Sequence, residues 1–237
     1  MFFRALATDY DGTLAQDGRV DDATVEALRE FKDTGRKLIL VTGRRLPDLG
    51  RVFDRVALFD RAVAENGAVL NDPATGKTIN LAPPPPQRFI ELLKKKGVAP
   101  LAVGHVVVAT TWEPNEKKVF DAIRELGIEH QVIFNKGAVM VLPPGVNKAS
   151  GLMRALDDLG IPPRRVVAVG DAENDHALLQ CCGCGVAVAN ALPSLKVEAE
   201  IVTSAPRGAG VIELIQRIIA EDGRLAVAPP QVAPATE

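Results

Sequence analysis

Residues 2–13 read FFRALATDYDGT. The apolar run from Phe2 to Thr8, interrupted only by Arg4, has the character of a buried strand, and Gly12 ends it in a tight loop. Asp9 and Asp11 stand two positions apart at the tip of that strand. Like charges at such range repel unless a cation or a shared proton neutralises them. A divalent metal is the simplest solution, and with one in place Asp9 can attack an electrophile while Asp11 handles the proton.

Working outward, Lys37 to Val41 (KLILV) is a second, mostly apolar run, followed at once by Thr42-Gly43-Arg44. Val166 to Val169 (VVAV) is a third, followed by Gly170-Asp171-Ala172-Glu173-Asn174-Asp175. Between them Lys148 opens a helical pattern. Each polar group falls just past a buried strand or at a helix start, and in an open parallel sheet those carboxyl ends form the ligand crevice. A lysine at a helix start opposes the helix dipole by a few tenths of a kcal/mol, and a bound phosphate would reverse the sign of that effect. An EF-hand reading of residues 171–182 fails, because its sixth position is His176 and its twelfth Cys182. Gly145-Val-Asn-Lys148 lacks the glycine spacing of a Walker loop.

With these residues in view, the chain resembles the haloacid dehalogenase-like phosphohydrolases, in particular the Cof-type subgroup of small sugar- and metabolite-phosphate phosphatases. DYDGT at 9–13 is similar to the family's first motif, TGR at 42–44 to its second, Lys148 to its third and GDAEND at 170–175 to its fourth, in the family's order. Glu65-Asn66-Gly67-Ala68, and the stretch from Asn190-Ala191 through Lys196, also resemble this subgroup. The likeness spans roughly residues 4 to 220.

That resemblance implies an α/β fold: a Rossmann-like core with a parallel sheet, and a small α+β cap inserted after the second motif. It implies that Asp9 is the nucleophile, and that Asp11 protonates the leaving alkoxide and then activates water. Thr42, Gly43, Lys148 and Asn174 are its expected phosphate contacts, with a neighbouring loop the other partner for Asn174. Mg2+ is the implied cofactor, held by Asp9, Asp171 and the backbone carbonyl of Asp11, with Asp175 orienting a metal-bound water. Glu173 is expected to be exposed, and Arg44 to assist without being essential. The superfamily's ion-pumping ATPases carry Thr where this chain has Asp11, so the residue here implies rapid turnover, by a phosphatase or a phosphomutase. A non-catalytic phosphate-ligand binder has no need for an acid two residues past a nucleophile. The resemblance offers phosphoglycolate, sugar phosphates and sucrose phosphate as substrates.

The chain's punctuation gives its organisation. Asp21 or Asp22 can cap a helix carrying Val25, Leu28 and Phe31 on one face, and Gly35 can end it. A short helix around Leu46, Leu49 and Phe53, a strand over 62–65 and a hairpin of 68–70 with 77–81 follow. Pro83 to Pro86 form a stiff spacer that neither a helix nor a central strand accommodates, and Pro143-Pro144-Gly145 mark the return. The expected division is therefore a core of 1–82 and 145–226, a cap of 83–144, and a disordered tail over 227–237. In the cap, helices are expected over 88–96 and 116–126, and strands over 101–111, 131–134 and 138–142; Trp112, Glu113 and His105 are candidates for contacting the leaving group. After Gly145 the reading is a helix over 148–159, strand 165–169, a helix from Asn174, strand 186–189, a short helix over 192–198, strand 201–203 and a helix over 211–219.

Composition agrees with a soluble, cytoplasmic enzyme. The 237 residues allow one large or two modest domains, and 47% hydrophobic residues supply a sizeable core. A net charge of -2 points to neither nucleic acid nor an anionic membrane. No apolar run is long enough to span a bilayer, and the N-terminus lacks the pattern of a secretory signal. Cys181, Cys182 and Cys184 suit reduced, partly buried thiols better than a zinc site, having only His176 nearby.

Overall fold

A computed structural model describes residues 2–135 and 137–225; the tail expected over 227–237 lies outside the described residues. The core opens with β1 (Ala5–Thr8), α1 (Asp22–Asp33), β2 (Lys37–Val41), α2 (Leu46–Val52), β3 (Arg61–Ala64), β4 (Val69–Asn71) and β5 (Thr78–Asn80). Next come α3 (Gln87–Lys95), β6 (Ala102–Val103), β7 (Val108–Thr111), α4 (Glu116–Leu126), β8 (Gln131–Asn135) and β9 (Ala138–Leu142). The chain then returns through α5 (Lys148–Leu159), β10 (Val166–Gly170), α6 (His176–Gln180), β11 (Cys184–Ala187), α7 (Pro193–Glu198), β12 (Ile201–Val202) and α8 (Arg207–Ala220).

Eight strands form one sheet in the order β12-β11-β10-β1-β2-β3-β4-β5. From β12 to β3 every pairing is parallel, and β4 and β5 add an antiparallel hairpin. β1 and β10 lie near the middle and are buried along their whole length, as expected of parallel strands covered by helices on both faces. Asp21 caps α1 by accepting the Thr24 N–H at 2.7 Å, and α1 packs against α8. α5 starts with a reciprocal cap: Asn147 Oδ1 accepts the Ser150 N–H, and Ser150 Oγ accepts the Asn147 N–H. Gly160, left-handed at φ 65°, ends it.

The inserted segment forms its own antiparallel sheet, ordered β6-β7-β9-β8, whose apolar residues pack with α3 and α4 around Phe89, Leu93, Val119 and Val141. A separate apolar cluster joins it to the core, with Ala64, Ala68 and Val69 on one side and Val106, Val107, Met140 and Leu142 on the other. A polar fastening lies beside it. Glu65, fully buried, accepts N–H groups from His105, Val106 and Val107 at 2.9, 2.8 and 2.9 Å. Glu65, Asn66 and Gly67 all have positive φ (51°, 57° and 104°), a costly run that aims Glu65 at the insert. Gly67 is required for a second reason: a Cβ there would sit 1.8 Å from the Asn147 carbonyl oxygen.

Several expected boundaries shift, each for a physical reason. The single strand expected over 101–111 is two short strands, because the amides of 105–107 bond to Glu65 and residues 104–107 turn back on themselves (Gly104 N–H to Val107 O, 2.8 Å). The first strand begins at Ala5; Phe2 instead bridges to Arg224 near the end of the described chain. The helix expected from Asn174 starts at His176, after a 3-10 turn over Glu173–Asp175. The strand expected over 186–189 is β11, so Cys184 is a buried strand residue. α8 extends further at its start than the apolar pattern from Val211 suggested.

Glu65→Gln would turn an amide NH2 toward backbone donors and leave at least one of them unpaired. We expect a loss of about 1–3 kcal/mol in stability, measured by urea unfolding. A variant as stable as the wild type would show that these bonds do not hold the insert.

Candidate active site

The sheet order brings the sequence motifs together. Thr8 on β1 aligns with Val169 on β10 and with Leu40 on β2, so Asp9, Asp171 and Thr42 emerge side by side at one edge. The Asp9 N–H donates to Val169 O at 3.0 Å, which continues the ladder one residue past β1. From the other direction α5 delivers Lys148, whose side chain is 1% exposed. Its Nζ lies 2.6 Å from Asp9 Oδ1 and 2.6 Å from Asp175 Oδ1. The unfavourable position of a lysine at a helix start is thus offset by two carboxylates at contact distance.

Asp175 works with both oxygens. Oδ1 accepts from Lys148, while Oδ2 accepts the Asp171 and Ala172 N–H groups at 3.0 Å each. Gly170 makes this possible, because a Cβ there would lie 2.6 Å from the Asp175 Cβ. Thr13 Oγ1 donates to Asp171 Oδ1 at 3.2 Å. The Asn190 amide donates to Gly12 O at 2.9 Å, and Lys196 Nζ to Ala189 O at 2.5 Å, so the later motif braces the first loop.

Among the described residues, one group of three or more His, Cys, Asp or Glu side chains is close enough to share an ion: Asp9, Asp171 and Asp175, all buried, with carboxylate oxygens within 4.8 Å of one another. The donor set is all oxygen, which suits Mg2+. Burial pushes the Asp9 carboxyl up to about 7; Lys148 opposes the rise, and Asp175 and Asp171 add to it. Burial alone would pull Lys148 down, but Asp175 and Asp9 together outweigh it and hold the ammonium protonated. Ionising Asp9 is therefore resisted by the protein's own groups, and a divalent cation at the cluster would relieve that resistance. Asp175, with both oxygens already engaged, suits a supporting role; Asp9 and Asp171 are the carboxylates better placed to hold an ion directly.

Asp11 lies outside this cluster and pairs with Arg44, Nε to Oδ2 and Nη2 to Oδ1, both at 2.7 Å. The bond to Asp11 chiefly holds the Arg44 pKa above its ordinary value. Thr42, fully buried, accepts the Arg44 N–H at its hydroxyl (3.1 Å), and Gly43 lies between them in the same turn. Asn174 meets the neighbouring loop, its amide donating to Asn66 Oδ1 at 2.9 Å. Glu173 is exposed, as expected.

A cavity of about 610 Å³ separates core from insert beside these residues. The core side contributes Asn66, Asn147, Glu173 and Asn174; Trp112, Val132 and Phe134 form the opposite wall. Of the three leaving-group candidates, Trp112 lines this cavity, its ring tilted 41° against that of Phe134 with centroids 4.6 Å apart. His105 instead sits 3.1 Å from Asn80 Oδ1, and Glu113 is exposed outside the lining. A larger groove of about 810 Å³ lies by the start of α8; neither space is lined by the three aspartates, but the smaller one is lined by Asn174 and Asn147, the neighbours of Asp175 and Lys148. Thr13, Asn66 and Asn147 carried no distinguishing chemical signal of their own, although each is next to or inside a motif. The cysteines form no such ligand group among the described residues; the bond with Cys182 chiefly lowers Cys181, burial pushes Cys184 up to about 12, and the bond with Cys181 followed by burial pushes Cys182 higher still.

Residues 6–124 and 102–215 match the family described as haloacid dehalogenase-like hydrolase. The chain is 32% identical over 223 residues to a phosphoglycolate phosphatase of Methanothermobacter thermautotrophicus, covering 91% of this chain and 99% of that protein. It is 31% identical over 228 residues to a phosphoglycolate phosphatase of Natronomonas pharaonis, covering 92% and 98%. Among solved structures, a haloacid dehalogenase-like hydrolase from Bacteroides thetaiotaomicron superposes with a TM-score of 0.77 at 19% identity, covering 91% of this chain and 99% of the other. A HAD subclass IIB sugar phosphatase superposes at 0.73 with 21% identity, covering 91% and 98%. These structural likenesses show the fold.

The raised Asp9 carboxyl gives a pH signature. A folded-state pKa above the unfolded value contributes stability that is present below about pH 4 and lost as pH rises through about 7. In EDTA, the Tm of wild type should therefore fall relative to that of Asp9→Asn between pH 4 and pH 8. A difference that stays flat across this range would contradict the buried, crowded carboxyl.

Proposed function

The chain belongs to the haloacid dehalogenase-like hydrolases and acts as a phosphatase, and we propose that it uses Mg2+ to hydrolyse a small phosphorylated metabolite through a phosphoaspartate on Asp9. The observation that carries this reading is the convergence of Asp9, Asp171, Asp175 and Lys148, drawn from β1, β10 and α5, on one buried spot. The substrate class is a sugar phosphate or a phosphoglycolate-like ester. Phosphoglycolate phosphatases at 32% and 31% identity support it, as does the cavity, whose volume is that of a small-molecule site. The reaction is assigned to the cytoplasm; no helix among the described residues is long and apolar enough to cross a membrane.

Asp9 attacks phosphorus; the bond from its carboxylate oxygen forms as the ester P–O bond breaks. Asp11 passes a proton to the departing oxygen. As a carboxylate, Asp11 then takes a proton from water, which attacks the phosphoaspartate, releases inorganic phosphate and restores Asp9. Lys148 orients Asp9 through Oδ1 and places positive charge where the phosphoryl oxygens gather theirs. Thr42, Gly43 and Asn174 complete the phosphate contacts. Asp9, Asp171 and the Asp11 carbonyl would hold Mg2+, with Asp175 in support. When bound, the ion supplies charge neutralisation for the phosphoryl oxygens and keeps Asp9 ionised.

Asp9→Asn should lower kcat for p-nitrophenyl phosphate by at least about 10³-fold with an unchanged circular dichroism spectrum. EDTA should silence the wild type, and Mg2+ should restore it. Free inorganic phosphate should appear with each turnover. Substantial activity in the variant would remove Asp9 as nucleophile; activity that survives chelation would remove the metal; phosphate retained on an isomer would indicate a mutase.

A further inference from the structure

Arg44 grips Asp11 through two parallel bonds of 2.7 Å, one to each carboxylate oxygen. Arg44 is itself fixed from several sides. Its guanidinium lies over the Tyr10 ring, 5.5 Å from the centroid, and the Tyr10 hydroxyl donates to Gly18 O at 2.9 Å. Its N–H donates to Thr42 Oγ1 at 3.1 Å, and its carbonyl accepts the Glu65 N–H at 2.9 Å. A Cβ at Gly18 would come within 3.3 Å of Nη2, so the loop after β1 closes against the guanidinium. One side chain thus ties the second motif to the first and to the Glu65 turn.

Asp11 is only two residues from Asp9, yet the group of carboxylates close enough to share an ion consists of Asp9, Asp171 and Asp175. A planar guanidinium bonded at two points sets both the plane and the direction of a carboxylate, which the point charge of a lysine cannot do. Each carboxylate oxygen has two acceptor positions, and the fork occupies one on each.

We propose, on the phosphatase reading above, that Arg44 is a positioning residue for Asp11. It holds that side chain out of the Asp9–Asp171–Asp175 cluster and turns it toward the ester oxygen. Arg44 acts through Asp11, to whose oxygens it is bonded, and not on the substrate. Its effect falls on one event: as the Asp9 oxygen bonds to phosphorus and the ester P–O bond breaks, the proton of Asp11 must reach the departing oxygen. The demand for that proton grows as the leaving group becomes more basic.

The test is a series of aryl phosphates running from p-nitrophenyl through phenyl to p-methoxyphenyl, measured with Mg2+ for wild type, Arg44→Lys and Arg44→Gln. In this mechanism kcat/KM ends with formation of the phosphoaspartate, so it isolates the step that Asp11 assists. p-Nitrophenolate leaves without a proton, whereas the other phenolates need one more. General acids supply about 10²–10⁴-fold, and a misplaced one forfeits part of it. Both variants should lose about 10-fold or more in kcat/KM on the phenyl and p-methoxyphenyl esters, while p-nitrophenyl phosphate changes by under about threefold. Equal losses along the series, as general damage to the fold would give, overturn the proposal, as does no loss on the basic leaving groups. A wild type that hydrolyses none of these esters overturns the phosphatase reading instead.

Discussion

An ammonium held between two buried carboxylates organises this molecule. Lys148 is almost wholly buried, and its only means of staying charged there is contact with Asp9 and Asp175. Asp175 still faces the ammonium when Asp9 is neutral, so removing Asp175 is the change that costs about 3–5 kcal/mol, because a charge is left uncompensated in a poor solvent. The surrounding architecture serves that contact. Asn147 and Ser150 fix the start of α5, Gly67 admits the Asn147 carbonyl, and Gly170 lets Asp175 fold back beneath Asp171. A small error in any of these would withdraw the lysine from the carboxylates.

The same turn that accommodates α5 also fastens the insert. Glu65 faces the insert, Asn66 faces Asn174, and Gly67 faces Asn147, on three consecutive residues with left-handed backbone. Catalytic edge, helix start and insert therefore share one short segment. Trp112 and Phe134 on the insert thereby face Asn66 and Asn174 across the cavity.

Much of this was legible in the sequence, for identifiable reasons. Asp9, Asp11, Lys148 and the Gly170–Asp175 run carry charges in places where folding alone disfavours them, and alternating apolar runs revealed the parallel sheet that gathers them. Asp21, Gly35 and the proline clusters mark local boundaries because capping and φ restriction act within a few residues. What escaped depended on contacts distant in the chain. The break between β6 and β7 is made by Glu65, some 40 positions earlier, and no local pattern announces it. The Arg44 fork joins residues 33 apart. Cys184 sat within a cysteine-rich stretch that masked the start of β11.

The metal assignment stands or falls on whether the carboxylates gathered around Lys148 bind one divalent cation. Calorimetric titration of Mg2+ into the purified protein at neutral pH tests it most directly, with Asp171→Asn as the comparison. The wild type should bind one ion per chain, and the variant none. No binding to the wild type, or the same binding in both proteins, would contradict it.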